Sequence, residues 1–118
     1  MKFTARTVSG SGRGKGLNVP TINLDMSDIP DGIEDGLYAC TISNNMPAIL
    51  HFGIRPTFND SPSCEVHILD TVISSPPEKL SVEIVQKIRE TKKFDSPDEL
   101  MEQMQKDICV ARGILGSA

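Results

Sequence analysis

Leu37-Tyr-Ala-Cys-Thr-Ile-Ser43, Asn44-Asn45, Met46-Pro-Ala-Ile-Leu-His-Phe52 reads as a strand, a two-residue turn and a returning strand. Asparagine tolerates positive φ better than most residues, so the pair suits a tight hairpin turn between two β-rich runs. This hairpin in mid-chain decides the fold, because both flanks continue in the same style. Upstream, Lys2–Val8 alternates and is rich in β-formers, and Thr21–Leu24 is a second, shorter strand. Between Asp25 and Gly36 the chain is acidic and full of turn residues, and reads as a loop. Downstream, 53–63 is irregular with two prolines, Cys64–Asp70 resumes a strand, and 71–79 is a connection carrying Ser74-Ser75-Pro76-Pro77. Leu80–Ile88 alternates cleanly and is the longest strand.

One helix follows. Ser96-Pro97-Asp98-Glu99 supplies an N-cap, a proline at the first helical position and a capping-box glutamate. Leu100, Met101, Met104, Ile108 and Ala111 then recur at helical spacing, with an end expected near Gly113. The two methionines read as packing residues. Six short strands and one terminal helix, with no alternation of strand and helix, predict a small antiparallel barrel over about residues 2–90. A helix over about 96–113 caps it, in one mostly-β domain spanning 1–118.

The composition sets outer limits. With 118 residues a single core buries roughly two-thirds of the unfolded surface without help from a metal or disulfide. A net charge of −4, a single tyrosine and no tryptophan disfavour nucleic acid or an anionic membrane as a partner. Cys40, Cys64 and Cys109 are odd in number and widely spaced, which indicates neither a disulfide framework nor a zinc site. No apolar run suits a signal peptide or a membrane span. The expectation is a soluble cytoplasmic protein, with a monomer the simplest state.

The chemistry gathers in Gly10-Ser-Gly-Arg-Gly-Lys-Gly16 and the Leu-Asn-Val-Pro-Thr-Ile-Asn23 that follows. Glycines let successive N–H groups approach a ligand, and Arg13 and Lys15 add positive charge, which suits phosphate. On glycine content alone a surface connection would be the better reading, and the stretch matches neither a Walker loop nor a dinucleotide turn. Pro20-Thr21-x-Asn23 lifts it above that, because alternation puts a hydroxyl and an amide oxygen on one side of the strand. Hard neutral oxygens of this kind are accepted by Mg²⁺ when phosphates and waters complete its shell. In the strand 64–70, Glu65, His67 and Leu69 share a functional side, and Cys64, Val66 and Ile68 a core side. Glu65 is the best candidate general base, and a lone strand histidine such as His67 reads as a hydrogen-bonded structural residue. Loops 25–36 and 53–63 read as covers for a site that must exclude water.

Four segments, in order and spacing, make the chain resemble the riboflavin kinase (flavokinase) domain. They are Gly12–Asn23, Gly36-Leu-Tyr-Ala39, Gly53-Ile-Arg-Pro-Thr-Phe58 with Glu65-Val-His67, and Arg89-Glu-Thr-Lys-Lys-Phe94. The resemblance implies a six-stranded Greek-key barrel that transfers the γ-phosphoryl group of ATP to the ribityl 5′-hydroxyl of riboflavin, giving FMN and ADP. It implies that Gly10, Gly12, Arg13, Gly14 and Lys15 hold the nucleotide phosphates. Thr21 and Asn23 would ligate Mg²⁺, with Zn²⁺ or Mn²⁺ as alternatives, and Glu65 would be the base. Ile68 and Asp70 would border the nucleotide, and Arg89, Lys92 and Phe94 would contact the flavin. The chain departs from the family in two places: Asn18 stands where glycine is usual, and 71–79 lacks the usual Tyr-Gly pair. Those departures motivate a second reading, a flavin- or nucleotide-binding module that keeps the barrel without turnover. Bacterial relatives place an FMN adenylyltransferase domain ahead of this one, so the domain either works alone or has been trimmed from such a chain.

Overall fold

The structure is a computed structural model that describes residues 1–8, 21–43, 45–53, 63–69, 77–91 and 95–116. Among these residues the strands are β1 (Lys2–Val8), β2 (Ile22–Leu24), β3 (Gly36–Ile42), β4 (Met46–Gly53), β5 (Ser63–Ile68) and β6 (Lys79–Arg89). They close into an antiparallel barrel in the order β1-β2-β5-β4-β3-β6. The order is a Greek key: β3, β4 and β5 form a meander, and β6 returns to pair with β3. Asn45, at φ 62°, turns the β3–β4 hairpin and meets the expectation for that turn.

Alternation assigns the two faces, except in β6. There register shifts against β3 break the clean alternation expected from Leu80 to Ile88, so that Leu80, Val82 and Ile84 face the barrel and Ile88 the second core. Ile22, Leu24, Tyr38, Cys40, Ile42, Ala48, Leu50, Cys64, Val66, Ile68, Leu80 and Val82 fill the barrel and form one buried cluster with Ala5. The opposite face of β3 and β4 is apolar as well, and for a different reason. The helix α1 (Pro97–Leu115) lies across it, packing Ile108, Ala111, Ile114 and Leu115 against Leu37, Ala39 and Ile49. Leu69 and Ile88 pack on the same cluster. The side of β5 read as functional is therefore partly a second core, with Leu69 belonging to it.

The helix starts as expected. Ser96 Oγ accepts from the Glu99 N–H at 3.2 Å, and Glu99 Oε2 accepts from the Asp95 N–H at 3.0 Å, so the reciprocal arm reaches one residue further back than in the standard box. The end differs from expectation. Gly113 lies within the helix, and Gly116, at φ 64°, supplies the left-handed cap. Ile114 and Leu115 bury themselves in the second core, and this outweighs the modest cost of a helical glycine.

Loop 25–35 is better packed than its composition suggested. Ile29 and Ile33 sit against the barrel core. A 3-10 turn at Met26–Asp28 is capped by Asp25, whose Oδ1 accepts from the Ser27 N–H at 2.9 Å. Arg6 binds Asp28 through its backbone N–H at 2.9 Å and through Nε at 2.8 Å. The far end of the loop meets Gly53, at φ 120°, where a Cβ would fall 2.7 Å from Asp35 Cγ. These contacts tie the segment to Arg6 of β1, to the barrel core and to Gly53 at the end of β4.

Burial pushes the Cys40 and Cys64 thiols up to about 12, while Cys109 is exposed on the helix. A thiol reagent at mild alkaline pH is accordingly expected to modify one cysteine in the native protein and all three after denaturation. Two or more fast-reacting thiols in the native state would contradict the assigned interior. Among the described residues no helix is long and apolar enough to cross a membrane.

Candidate active site

Registers between neighbouring strands place six residues on one rung across the outside of the barrel. Val8 pairs with Asn23, Asn23 with Glu65, Glu65 with His51, His51 with Leu37, and Leu37 with Arg89. At about 4.8 Å per strand, the arc from Asn23 to Arg89 covers roughly 19 Å. Because barrel strands are sheared, the rung climbs from one end of the barrel to the other. Val8 is the last residue of β1, and Arg89 is the last of β6, which runs antiparallel to β1.

The segment 9–20 leaves β1 at Val8 and returns at Thr21, so its two ends flank Asn23. Gly10, Gly12, Arg13, Gly14 and Lys15 themselves lie outside the described residues, as do Asp70, Lys92 and Phe94. The end of β5 lies at the same barrel end, since Val66 pairs with Ile22. Among the described residues, Thr21, Asn23 and Ile68, read as nucleotide-binding, lie at the β1–β2 end, and Arg89, read as flavin-binding, is the last residue of β6. Ile68 departs from the rest. Its side chain joins the interior cluster, on the face opposite Glu65, leaving the strand backbone as what it can offer a ligand.

Glu65 is the centre of the arrangement. It is 5% exposed, and the Thr21 hydroxyl donates to its Oε1 at 3.3 Å. A buried carboxylate demands partners. The Thr21 hydroxyl is one, and the strand registers put Asn23 directly opposite Glu65 on β2 and His51 opposite it on β4. A threonine that donates its proton to a carboxylate keeps oxygen lone pairs for a cation. Thr21 and Asn23 therefore fit a Mg²⁺ site of neutral oxygens completed by phosphate and water. Among the described residues no cluster of three or more His, Cys, Asp or Glu side chains competes for a metal. His67 is half-buried, and burial holds its pKa below the ordinary imidazole value, in keeping with a neutral structural role.

At the far end of the rung, Arg89 meets the helix. Its Nε and Nη2 donate to Asp107 Oδ1 and Oδ2 at 2.9 and 2.8 Å, and Gln103 Nε2 donates to Oδ1 at 3.0 Å. The sequence reading missed Asp107, Gln103 and His51. The signal for Asp107 was present: Gln103, Asp107 and Ala111 follow at i, i+4 and i+8, so a carboxylate occupies the core-facing stripe of an amphipathic helix. For His51 no local signal existed, because its place opposite Glu65 depends on the β4–β5 register.

The profile of the flavokinase family, described as riboflavin kinase, matches residues 1–115. An RNA-binding riboflavin kinase of Bacillus subtilis is 32% identical over 111 residues, covering 89% of this chain and 47% of that protein. A bifunctional riboflavin kinase/FMN adenylyltransferase of Escherichia coli is 29% identical over 119 residues, covering 97% of this chain and 38% of that protein. The chain thus spans less than half the length of these relatives. A solved structure described as a macrolide-efflux protein from Streptococcus pneumoniae shares the fold, with a TM-score of 0.81 at 30% identity over 94% of this chain and 38% of that one. With the profile matched along almost its whole length and the barrel in place, this chain belongs to the riboflavin kinase family.

Proposed function

We propose that the protein transfers the γ-phosphoryl group of ATP to the 5′-hydroxyl of riboflavin, forming FMN and ADP. The observation that carries this reading is the Thr21–Glu65 contact beside Asn23, at the barrel end where the glycine-rich segment leaves β1 and enters β2. Phosphoryl transfer depends mainly on positioning and on neutralising charge at the phosphate oxygens. Loop N–H groups with Arg13 and Lys15 serve the donor side. Glu65 takes the proton of the ribityl hydroxyl as its oxygen bonds to the γ-phosphorus, and the bond from that phosphorus to the ADP oxygen breaks. Thr21 and Asn23 would hold Mg²⁺, which when bound neutralises charge on the phosphates. Arg89, with Lys92 and Phe94, serves the flavin side, so donor and acceptor approach Glu65 from opposite ends of the rung. The working compartment is the cytoplasm, where both substrates are available.

Incubation with ATP, Mg²⁺ and riboflavin, followed by separation of FMN from riboflavin, tests this reading. Equal amounts of FMN and ADP are expected, with ADP formation dependent on riboflavin. Binding of both substrates without FMN would point to the module without turnover. Lys15→Ala is expected to weaken ADP binding while sparing riboflavin, as calorimetry with each ligand would show. The reverse pattern would contradict the orientation.

A further inference from the structure

We propose that Asp107 and Gln103 of α1 are positioning residues for the acceptor substrate, acting through the Arg89 guanidinium. This rests on the reading of Arg89 as a flavin contact. The helix would then be a wall of the acceptor site as well as a cover for the second core.

A simple staple between helix and barrel is the competing explanation. Such a staple is poorly motivated here, because Ile108, Ala111, Ile114 and Leu115 already dock the helix through apolar burial. Burying an ion pair typically contributes little net stability, since desolvation offsets the attraction. What this pair does supply is orientation. Asp107, 2% exposed, grips two guanidinium nitrogens with parallel bonds, and Gln103 fixes the carboxylate from the same helix face. From the strand side, Nη1 donates to the Glu90 carbonyl at 2.9 Å. The guanidinium plane is therefore defined from two directions while the side chain keeps 19% exposure. A long, flexible side chain held so firmly at the end of a rung leading to Glu65 loses less freedom on binding a ligand.

The test is a double-mutant cycle read out on riboflavin. Arg89→Lys and Asp107→Asn are each expected to weaken riboflavin binding by roughly 10- to 100-fold, the range for a charge-assisted hydrogen bond. ADP affinity should stay within about twofold of the parent. Combined, the two changes should cost scarcely more than one, because both act on the same guanidinium. Ala111→Gly, which loosens the helix without touching Arg89, should lower the melting temperature and leave riboflavin affinity unchanged. Should Asp107→Asn fail to fold, Gln103→Leu removes one bond to the carboxylate and is expected to weaken riboflavin in the same direction by a smaller factor. Additive losses from Arg89→Lys and Asp107→Asn, unchanged riboflavin affinity in Asp107→Asn or Gln103→Leu, or an Ala111→Gly loss as large as theirs would overturn the proposal. Absence of riboflavin binding by the parent protein would instead remove the reading beneath it, so the two failures are distinguishable.

Discussion

Replacing Glu65 with glutamine is expected to lower kcat for FMN formation by about 10²- to 10⁴-fold, the usual contribution of a general base. Glutamine keeps the length of the side chain and can still accept from the Thr21 hydroxyl, so the local packing survives the change. It cannot take up the proton of the ribityl hydroxyl. The barrel wall also limits what could replace it, since Glu65 is buried and its rung neighbours are Asn23 and His51. Affinities for ADP and riboflavin should change far less than kcat, because the proposed function assigns the phosphates to the glycine-rich segment and the flavin ring to the Arg89 end. Steady-state rates and calorimetry on the same preparation separate the two. Near-normal kcat in Glu65→Gln would end the base assignment and leave positioning of the reactants as the source of rate.

Leu50→Ala is expected to destabilise the fold by about 2–5 kcal/mol, the cost of deleting a fully buried leucine side chain and leaving a cavity. Leu50 stands midway along β4, points into the barrel, and packs in the same cluster as Val66 and Cys40. A closed barrel relaxes poorly around such a void, because its walls are tied by hydrogen bonds on every side. Urea unfolding should show a lower midpoint with an unchanged slope. Leu50→Met nearly conserves volume and should cost less than about 1.5 kcal/mol. Equal midpoints for Leu50→Ala and the parent would mean that this face of β4 is not the barrel interior.

Much of this architecture was legible in the chain because its signals are local. Alternation in β5 separates Cys64, Val66 and Ile68 from Glu65 and His67, and membership of the interior cluster follows that division, although Glu65 is buried as well. Ser96-Pro97 and Asn45 announce a helix start and a turn through side-chain and backbone chemistry within a few residues. What stayed hidden depends on register and on partners distant in sequence. No local pattern reveals that His51 stands opposite Glu65, because that depends on how β4 and β5 slide past one another. The Arg89–Asp107 pair spans two elements whose docking is set by the second core. The packing of loop 25–35 stayed hidden for a related reason: its polar residues dominate the composition, while Ile29 and Ile33 sit against the barrel core. The helix end was misplaced because Gly113 looks like a stop until the apolar residues beyond it are seen to bury.

The central claim is that donor and acceptor meet at Glu65 on the outside of the barrel, approaching along the rung from its two ends. A crystal structure of the protein with ADP, Mg²⁺ and riboflavin tests this most directly. The account predicts the metal on Thr21 and Asn23, the ribityl 5′-hydroxyl within hydrogen-bond reach of Glu65, and the isoalloxazine ring toward Arg89 and the helix. A flavin bound at the β1–β2 end, or a 5′-hydroxyl remote from Glu65, would contradict it.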